Sequence, residues 1–594
     1  MKRIYLLVFS VIISSSVFSQ EPVALPKGFA PGEPEQMPAY LQQVTQNASS
    51  RAGITTPPGG SLRNMAQWEE VQGLLITWTS FQSILAEIVR AAQTETKVYI
   101  HCSDSNTVKS YLTGKSVPLV NLKFIIAPFN SIWMRDYGVN SVYRNNVDSL
   151  LLVDWIYNRP RPADDELASY DAAAMNLPLY RTTALPTDLV NTGGNWMVDG
   201  LGTAFASKLI LDENAAGGQY NLSNKTEAQI DDIVNKFHGI TRYIKMETLP
   251  YDGIHHIDMH MKLLDEETIL IGKYPTGIAD GPQIEANMLY VLDNFNSSFG
   301  TPYKVIRIPM PPNTNGSWPS GSGSYNTYTN QVFINKTIIV PGYREEYDTI
   351  ANRILKESLP GYKIKFIDVD NQGANLISLG GALHCITHSV GVNDPLWIVH
   401  QKLNDTYQTT GTYAVNARIE HRTGISSAKV FFRTDTLQPY QSVDMTLTNV
   451  AQNTWTGLMP AQPEDSKVYY YIQATANSGK QQSRPMPAPA GWWRFKVMKD
   501  PNVGIEGMEQ PFAESLFPNP ASDITCVPVQ FVNATKANLY IADLNGKIVR
   551  NIQSGLFPAG ESRYYFNARD LAPGVYSVVI ESSHAKQVQK LLVK

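Results

Sequence analysis

IDMHMKLLDEETILIGKYPTGIADGPQIEANMLYVLDNFNSSFGTPYKVIRIP, residues 257–309, contains one complete structural unit of the chain. Ile257 to Tyr274 reads as two strands, Gln283 to Asn294 as a helix with apolar positions at helical spacing, and Lys304 to Pro309 as a further strand. The same order returns on either side. Upstream, Val71 to Thr79 reads as a strand, Phe81 to Thr94 as a helix, and Val98 to Cys102 and Asn121 to Ala127 as strands. Leu201 to Leu211, Glu227 to Phe237 and Ile240 to Glu247 give strand, helix and strand, as do Gln331 to Pro341, Asp348 to Ser358 and Tyr362 to Val369. A strand–strand–helix–strand unit thus recurs about every 60–70 residues, which predicts a quasi-symmetric α/β array around a centre.

The flanks differ. Residues 20–60 are rich in Pro, Gly, Gln and Ser and read as a linker or pro-segment. Before them, Lys2 and Arg3 precede an apolar stretch from Ile4 to Val17, with Val17 and Ser19 ahead of a possible cut at Gln20, so residues 1–19 read as an export signal peptide. No later stretch is long and apolar enough to span a bilayer as a helix. Beyond about residue 400 helical periodicity vanishes, and short strands such as Ala428 to Phe432, Val443 to Leu447 and Lys467 to Gln473 predict an antiparallel β-sandwich. A last segment again carries short strands: Ala537 to Asp543, Ser562 to Phe566 and Val575 to Glu581. With 594 residues the chain needs several domains, and its 43% hydrophobic content supplies their cores. A net charge of −4 without a long basic run argues against a nucleic-acid partner. Three cysteines, Cys102, Cys385 and Cys526, are an odd and widely spaced set, which leaves at least one free thiol and makes a disulfide framework a poor reading.

Four segments could carry chemistry. In Trp133-Met134-Arg135-Asp136-Tyr137-Gly138 an aromatic face and a carboxylate could hold a cation, or Asp136 could simply pair with Arg135 at a strand end. In His255-His256-Ile257-Asp258-Met259-His260 a strand would turn residues 256, 258 and 260 to one face. His256 and Asp258 would then suit acid–base work on a cationic substrate, while the same histidines with Asp258 would also suit zinc. In Leu379-Gly380-Gly381-Ala382-Leu383-His384-Cys385 small residues let the backbone pack closely and present a thiol; a buried structural cysteine is the alternative. Asn191-Thr192-Gly193-Gly194-Asn195-Trp196 is a Gly-rich turn without phosphate-loop spacing.

Taken together, "WMRDYG", "TGGNWMVDG", "IHHIDMH" and "GGALHC" resemble, in order and approximate spacing over residues 65–395, the motifs of agmatine deiminases and of Porphyromonas-type peptidylarginine deiminases. The resemblance implies a pentein fold, a five-bladed α/β propeller, over residues 61–398. It further implies that Asp136 and Asp258 hold the guanidinium, that His256 is the general acid/base, that Cys385 is the nucleophile, that Asn330 is the family's active-site Asn and that Trp133 lines the side-chain slot. Arg159 and Arg161, in Tyr157-Asn158-Arg159-Pro160-Arg161-Pro162, resemble the pair that binds the carboxylate of a C-terminal arginine; otherwise they form a solvated basic loop paired with Asp164, Asp165 or Glu166. The Gly-, Ser- and Asn-rich segment Asn313 to Tyr325 would be a flap or a passive loop. The reaction so implied uses no metal and no cofactor.

Residues 399–499 resemble an immunoglobulin-like β-sandwich. In 512–594, Phe517-Pro518-Asn519-Pro520-Ala521, Asp543-Leu544-Asn545-Gly546-Lys547 and Leu571-Ala572-Pro573-Gly574-Val575-Tyr576 resemble the all-β C-terminal sorting domain of the type IX secretion system. That implies passage across the outer membrane of a Gram-negative bacterium, to the medium or the cell surface, with the secretion machinery as partner. The expected substrates are peptides or proteins with C-terminal arginine. The alternatives are a deiminase of a small guanidine such as agmatine, a surface binding protein without catalysis, and a metal-dependent hydrolase built on His255, His256, Asp258 and His260.

Overall fold

A computed structural model describes residues 24–218, 224–319, 324–499, 515–531, 534–558, 560–583 and 585–594. The expected signal peptide, residues 1–19, lies outside them.

Residues 62–391 are α/β. The unit at 261–309 forms as Met261–Leu263 antiparallel to Thr268–Lys273, which pairs in parallel with Lys304–Pro309 after the helix Gly281–Asn294. The same antiparallel-then-parallel pattern builds Val332–Ile334, Thr337–Gly342 and Lys363–Asp368, and again Met197–Val198, Thr203–Ser207 and Arg242–Met246. A larger sheet joins Leu62–Asn64, Asn140–Arg144, Ser149–Tyr157 and Leu179–Thr182, with Val190–Asn191 alongside. In the fifth sheet, Val71–Thr77, Lys97–Cys102 and Leu122–Ile126 run in parallel, and the antiparallel neighbour of Val71–Thr77 is His388–Gly391. The first strand of this sheet is therefore paired with one from the far end of the region, so the two ends are tied together. The middle strands of these sheets carry buried apolar runs, as in Ile338, Ile339 and Val340.

Helix boundaries follow local chemistry. Glu227–His238 starts at Thr226, whose hydroxyl accepts from Gln229 N while the Gln229 side chain accepts from Thr226 N, and it ends at Gly239 with φ 70°. A Cβ on Gly239 would lie 2.0 Å from Leu62 O, so glycine is required there twice over.

The structure departs from the sequence reading in several places. Residues 134–137 are helical, not a strand end. Ile257–Met259 is a single helical turn, so residues 256, 258 and 260 do not share a strand face. The Asp252 carboxylate accepts from Ile254 N and His255 N and bends the chain, with His255 at φ 61°. Leu201–Leu211 is a strand only over Thr203–Ser207, followed by the helix Leu209–Asn214. Gln331–Pro341 is a hairpin folded at Asn335, whose side chain accepts from Val71 N and donates to Val71 O and Glu95 O. The helices Ser105–Gly114 and Leu167–Met175 and the strands Asn140–Arg144 and Ser149–Tyr157 have no counterpart in the sequence reading. The stretch read as linker contains the helix Met37–Gln46, which packs Met37, Tyr40, Leu41 and Val44 against Ile156 and Val190.

Residues 397–496 form an all-β region. Its strands run antiparallel in the order 397–399, 412–420, 454–460, 441–449, 425–433, 467–476 and 481–484, with 493–496 also on 467–476. Val415, Val430, Met459, Tyr470 and Phe495 turn into one shared core. It is fastened to the α/β region by ion pairs between Arg484 and Glu266 and between Lys402 and Asp265. A second all-β region, 515–594, pairs 524–531 with 560–567 and orders 548–557, 535–542, 574–582 and 586–593 in a second sheet, around Val527, Leu539, Phe557 and Val578. The three cysteines are free and buried.

Leu74, fully buried on Val71–Thr77, should be among the costliest truncations. Leu74→Ala is expected to lower stability by about 2–5 kcal/mol, read as an earlier unfolding transition in a denaturant or thermal melt.

Candidate functional site

Four loops at the centre of the α/β region converge on Cys385. The one-turn helix at 134–137 is clamped to the cysteine loop by Arg135 N donating to Cys385 O (3.1 Å) and Arg135 Nε to His384 O (3.3 Å). Asn330 Nδ2 donates to Cys385 Sγ at 3.1 Å, and Asn330 Oδ1 accepts from His384 N at 2.9 Å, so one amide fixes both the thiol and its backbone. Asp258 Oδ2 lies 3.7 Å from Sγ and 2.7 Å from His384 Nδ1. Asp136 Oδ1 accepts from Gly194 N (3.2 Å) and lies 3.6 Å from His256 Nδ1.

Glycines make this convergence sterically possible. A Cβ on Gly193 would lie 1.9 Å from Arg135 O, one on Gly194 2.3 Å from His256 Nδ1, and one on Gly381 2.9 Å from Cys385 Sγ and 2.7 Å from the Trp133 ring. The paired glycines of both motifs are thus the positions where backbone must touch site side chains.

All these groups are buried, and burial governs their ionisation. It pushes the Cys385 thiol up to about 12, with the Asp258 charge adding to the rise, so the thiol is protonated at neutral pH. Burial also raises the Asp258 carboxyl, against the pull of Lys27. His256 is held well below its ordinary range by burial and then by the charges of Lys27 and Arg159, so it is neutral. His384 is likewise neutral, through burial and the nearby Arg135.

The cation in the site is Lys27, from the stretch that reads as linker or pro-segment. Its Nζ lies 2.8 Å from Cys385 Sγ and 3.8 Å from Asp258 Oδ1. Burial opposes its charge, but the Asp258 and Asp136 carboxylates outweigh that and hold the ammonium protonated. Trp133 Nε1 donates to Leu25 O (2.9 Å). Arg159 and Arg161 are 4% and 1% exposed, which excludes the solvated-loop reading. Arg159 Nε donates to Lys27 O (3.2 Å), while Arg161 pairs with Glu33 and donates to Pro26 O and Gly28 O. Asp164 and Asp165 are turned instead to Ser131 and to Tyr157 N. Of the residues singled out from sequence, then, Cys385, Asn330 and Asp258 touch directly, Asp136 and His256 face each other, and Trp133, Arg159 and Arg161 converge on residues 25–33. Sequence reading missed His384 as a partner of Asp258 and missed Lys27. The first was visible as the neighbour of Cys385; nothing local marked the second.

Residues 63–390, more than half of the chain, match the family described as Porphyromonas-type peptidyl-arginine deiminase, and residues 515–594 match a secretion system C-terminal sorting domain. A candidate agmatine deiminase of Mycoplasma mycoides subsp. mycoides SC is 24% identical over 296 residues, covering 45% of this chain and 76% of that protein. Among solved structures, the agmatine deiminase of Campylobacter jejuni aligns at 21% identity and TM-score 0.45, covering 56% of this chain and 96% of its own. That of Enterococcus faecalis aligns at 17% and 0.48, covering 57% and 100%. Among the described residues no helix is long and apolar enough to cross a membrane.

The thiol should respond in opposite directions to its two charged neighbours. Asp258→Asn removes a negative charge and is expected to lower the Cys385 pKa; Lys27→Met removes a positive one and is expected to raise it. Ultraviolet thiolate absorbance against pH, as a difference from Cys385→Ala, measures both; shifts in the same direction would refute the electrostatic account.

Proposed function

The chain belongs to the Porphyromonas-type peptidyl-arginine deiminase family, and from that premise we infer that it is a guanidino-group deiminase, exported through the type IX sorting domain that it carries. We propose that its substrate is arginine within or at the C-terminus of a peptide, converted to citrulline and ammonia, with a preference for the C-terminal position. In this reading the five larger sheets of residues 62–391 are the blades of a pentein propeller, and 399–499 is an immunoglobulin-like module that braces it. The observation that carries the reading is one buried centre in which a thiol, two carboxylates and a neutral histidine surround a cationic side chain presented by polypeptide.

Asp136 and Asp258 would hold the guanidinium and fix its plane, because a delocalised cation with paired N–H donors matches carboxylates on either side. The thiol and His256 both rest neutral, so the thiol proton passes to His256 as Sγ attacks Cζ. A substrate cation beside Cys385 favours the thiolate over the thiol, as the Lys27 charge already does. The resulting imidazolium protonates the departing nitrogen, the C–N bond breaks and ammonia leaves. A thiouronium remains on Cys385. Water gives one proton to His256 and its oxygen to Cζ; the S–C bond then breaks as the remaining hydroxyl proton passes to Sγ, which releases citrulline and restores the thiol, and His256 returns its proton to ammonia, which leaves as ammonium. Asn330 would hold Sγ in line for attack throughout.

Arg159 supports peptide over agmatine, which has no main chain for it to reach. It donates to the carbonyl of the very residue in the pocket, where a C-terminal arginine would present a carboxylate.

The test is citrulline release by the purified chain and by its Lys27→Ala variant. The substrates are a peptide ending in arginine, the same peptide with arginine internal, and agmatine. Cys385→Ala is expected to reduce turnover to background. Arg159→Ala or Arg161→Ala is expected to lower kcat/KM for peptides about tenfold to a hundredfold while sparing agmatine. Turnover of agmatine alone would overturn the peptide assignment.

A further inference from the structure

Lys27 is not an incidental neighbour of the thiol. Lysine Nζ and arginine Cζ are the same number of bonds from Cα. An ammonium nitrogen 2.8 Å from Cys385 Sγ therefore stands where the carbon under attack would stand if residue 27 were arginine. Lysine offers no carbon electrophile at that point, so the thiol has nothing to attack.

The main chain around Lys27 is held as closely as its side chain. Leu25 O accepts from Trp133, Pro26 O from Arg161, Lys27 O from Arg159 and Gly28 O from Arg161, while Lys27 N donates to Leu379 O at 2.9 Å. Every carbonyl from residue 25 to residue 28 thus meets a side-chain donor. The three donor residues are those singled out from the sequence as substrate-binding. Glu33 continues the grip: its carboxylate takes Arg161 Nε at 2.8 Å and Nη2 at 3.0 Å and accepts from Ala30 N at 2.7 Å. The Phe29 ring lies 4.3 Å from the Arg159 guanidinium carbon. A passive linker has no need to bury a lysine in a site lined by two carboxylates, and burying that charge is repaid only by the partners found there.

Resting on the deiminase reading above, we propose that residues 24–33 are a built-in pseudosubstrate. Lys27 fills the guanidinium site, and Trp133, Arg159 and Arg161 bind the segment's main chain as they bind that of a substrate peptide. The intact chain is latent until this segment leaves. The helix Met37–Gln46 packs against Ile156 and Val190 and keeps the segment tethered beside the groove, which gives it a high effective concentration against any external peptide. The exposed turn at Pro31 and Gly32, between Lys27 and the helix, is where a protease could cut the tether.

Three variants of the full chain test this. Lys27→Ala is expected to raise kcat/KM for an external arginine peptide about tenfold or more, chiefly through KM, because the tethered competitor loses its anchor. Lys27→Arg is expected to convert its own residue 27 to citrulline, at a rate independent of protein concentration. Mass spectrometry of the peptide spanning residue 27 would read this, with no conversion in Lys27→Arg/Cys385→Ala. Binding of the arginine peptide to Cys385→Ala, measured without turnover, is expected to tighten by a similar factor when Lys27→Ala is added. Equal peptide affinity with and without Lys27 would overturn the pseudosubstrate, whatever the turnover. So would a Lys27→Arg variant that deiminates external peptide yet leaves its own residue 27 unconverted. Tightened binding with no citrulline from any folded variant would keep the plug and sink the deiminase reading instead.

Discussion

Burying Asp136, Asp258 and Cys385 around one small volume is the constraint on which the rest of the structure turns. Two carboxylates removed from water are costly unless a cation or hydrogen-bond donors stand between them. The chain meets that cost with Gly194 N on Asp136, with His384 on Asp258, and with the Lys27 ammonium between thiol and carboxylate. The same burial drives Cys385 to about 12 and leaves His256 neutral. A centre in this state is inert toward most electrophiles and receptive to a planar cation.

Keeping such a centre requires backbone rather than side chains at its walls. Gly193, Gly194 and Gly381 let the loops approach to distances at which any Cβ would collide. Arg135, held through Cys385 O and His384 O, ties the Asp136 turn to the thiol loop, so the thiol and this carboxylate are held on linked segments. Each small sheet contributes a loop end to the centre, and the pairing of Val71–Thr77 with His388–Gly391 joins the first element to the one just after Cys385. Among the described residues the two all-β regions add no group to this centre; the ion pairs of Arg484 and Lys402 attach the first of them to the α/β region.

Much of this was legible along the chain. The helices at 82–92, 227–238, 281–294 and 345–358 announce themselves by apolar spacing, and several strands by apolar runs such as Ile338, Ile339 and Val340. The reading failed where a local hydrogen bond outcompeted periodicity. Asp252 turned His255–His260 away from a strand, and Asn335 split Gln331–Pro341 into a hairpin. It also passed over Ser149–Tyr157, a buried apolar run interrupted by Asp154.

Residue type and order alone marked the family's motifs, the sorting domain and the set Trp133, Asp136, Arg159, Arg161, His256, Asp258, Asn330 and Cys385, because each belongs to a short segment whose composition is unusual by itself. Only the folded chain decided what these residues face. Lys27 is more than 350 positions from Cys385 in sequence, in a Pro- and Gly-rich stretch that looks like spacer. Its partner is chosen by long-range electrostatics and by the groove donors that seize its main chain. Contacts between segments so far apart leave no periodicity and no local pattern; they exist only where the closed α/β region brings the two together.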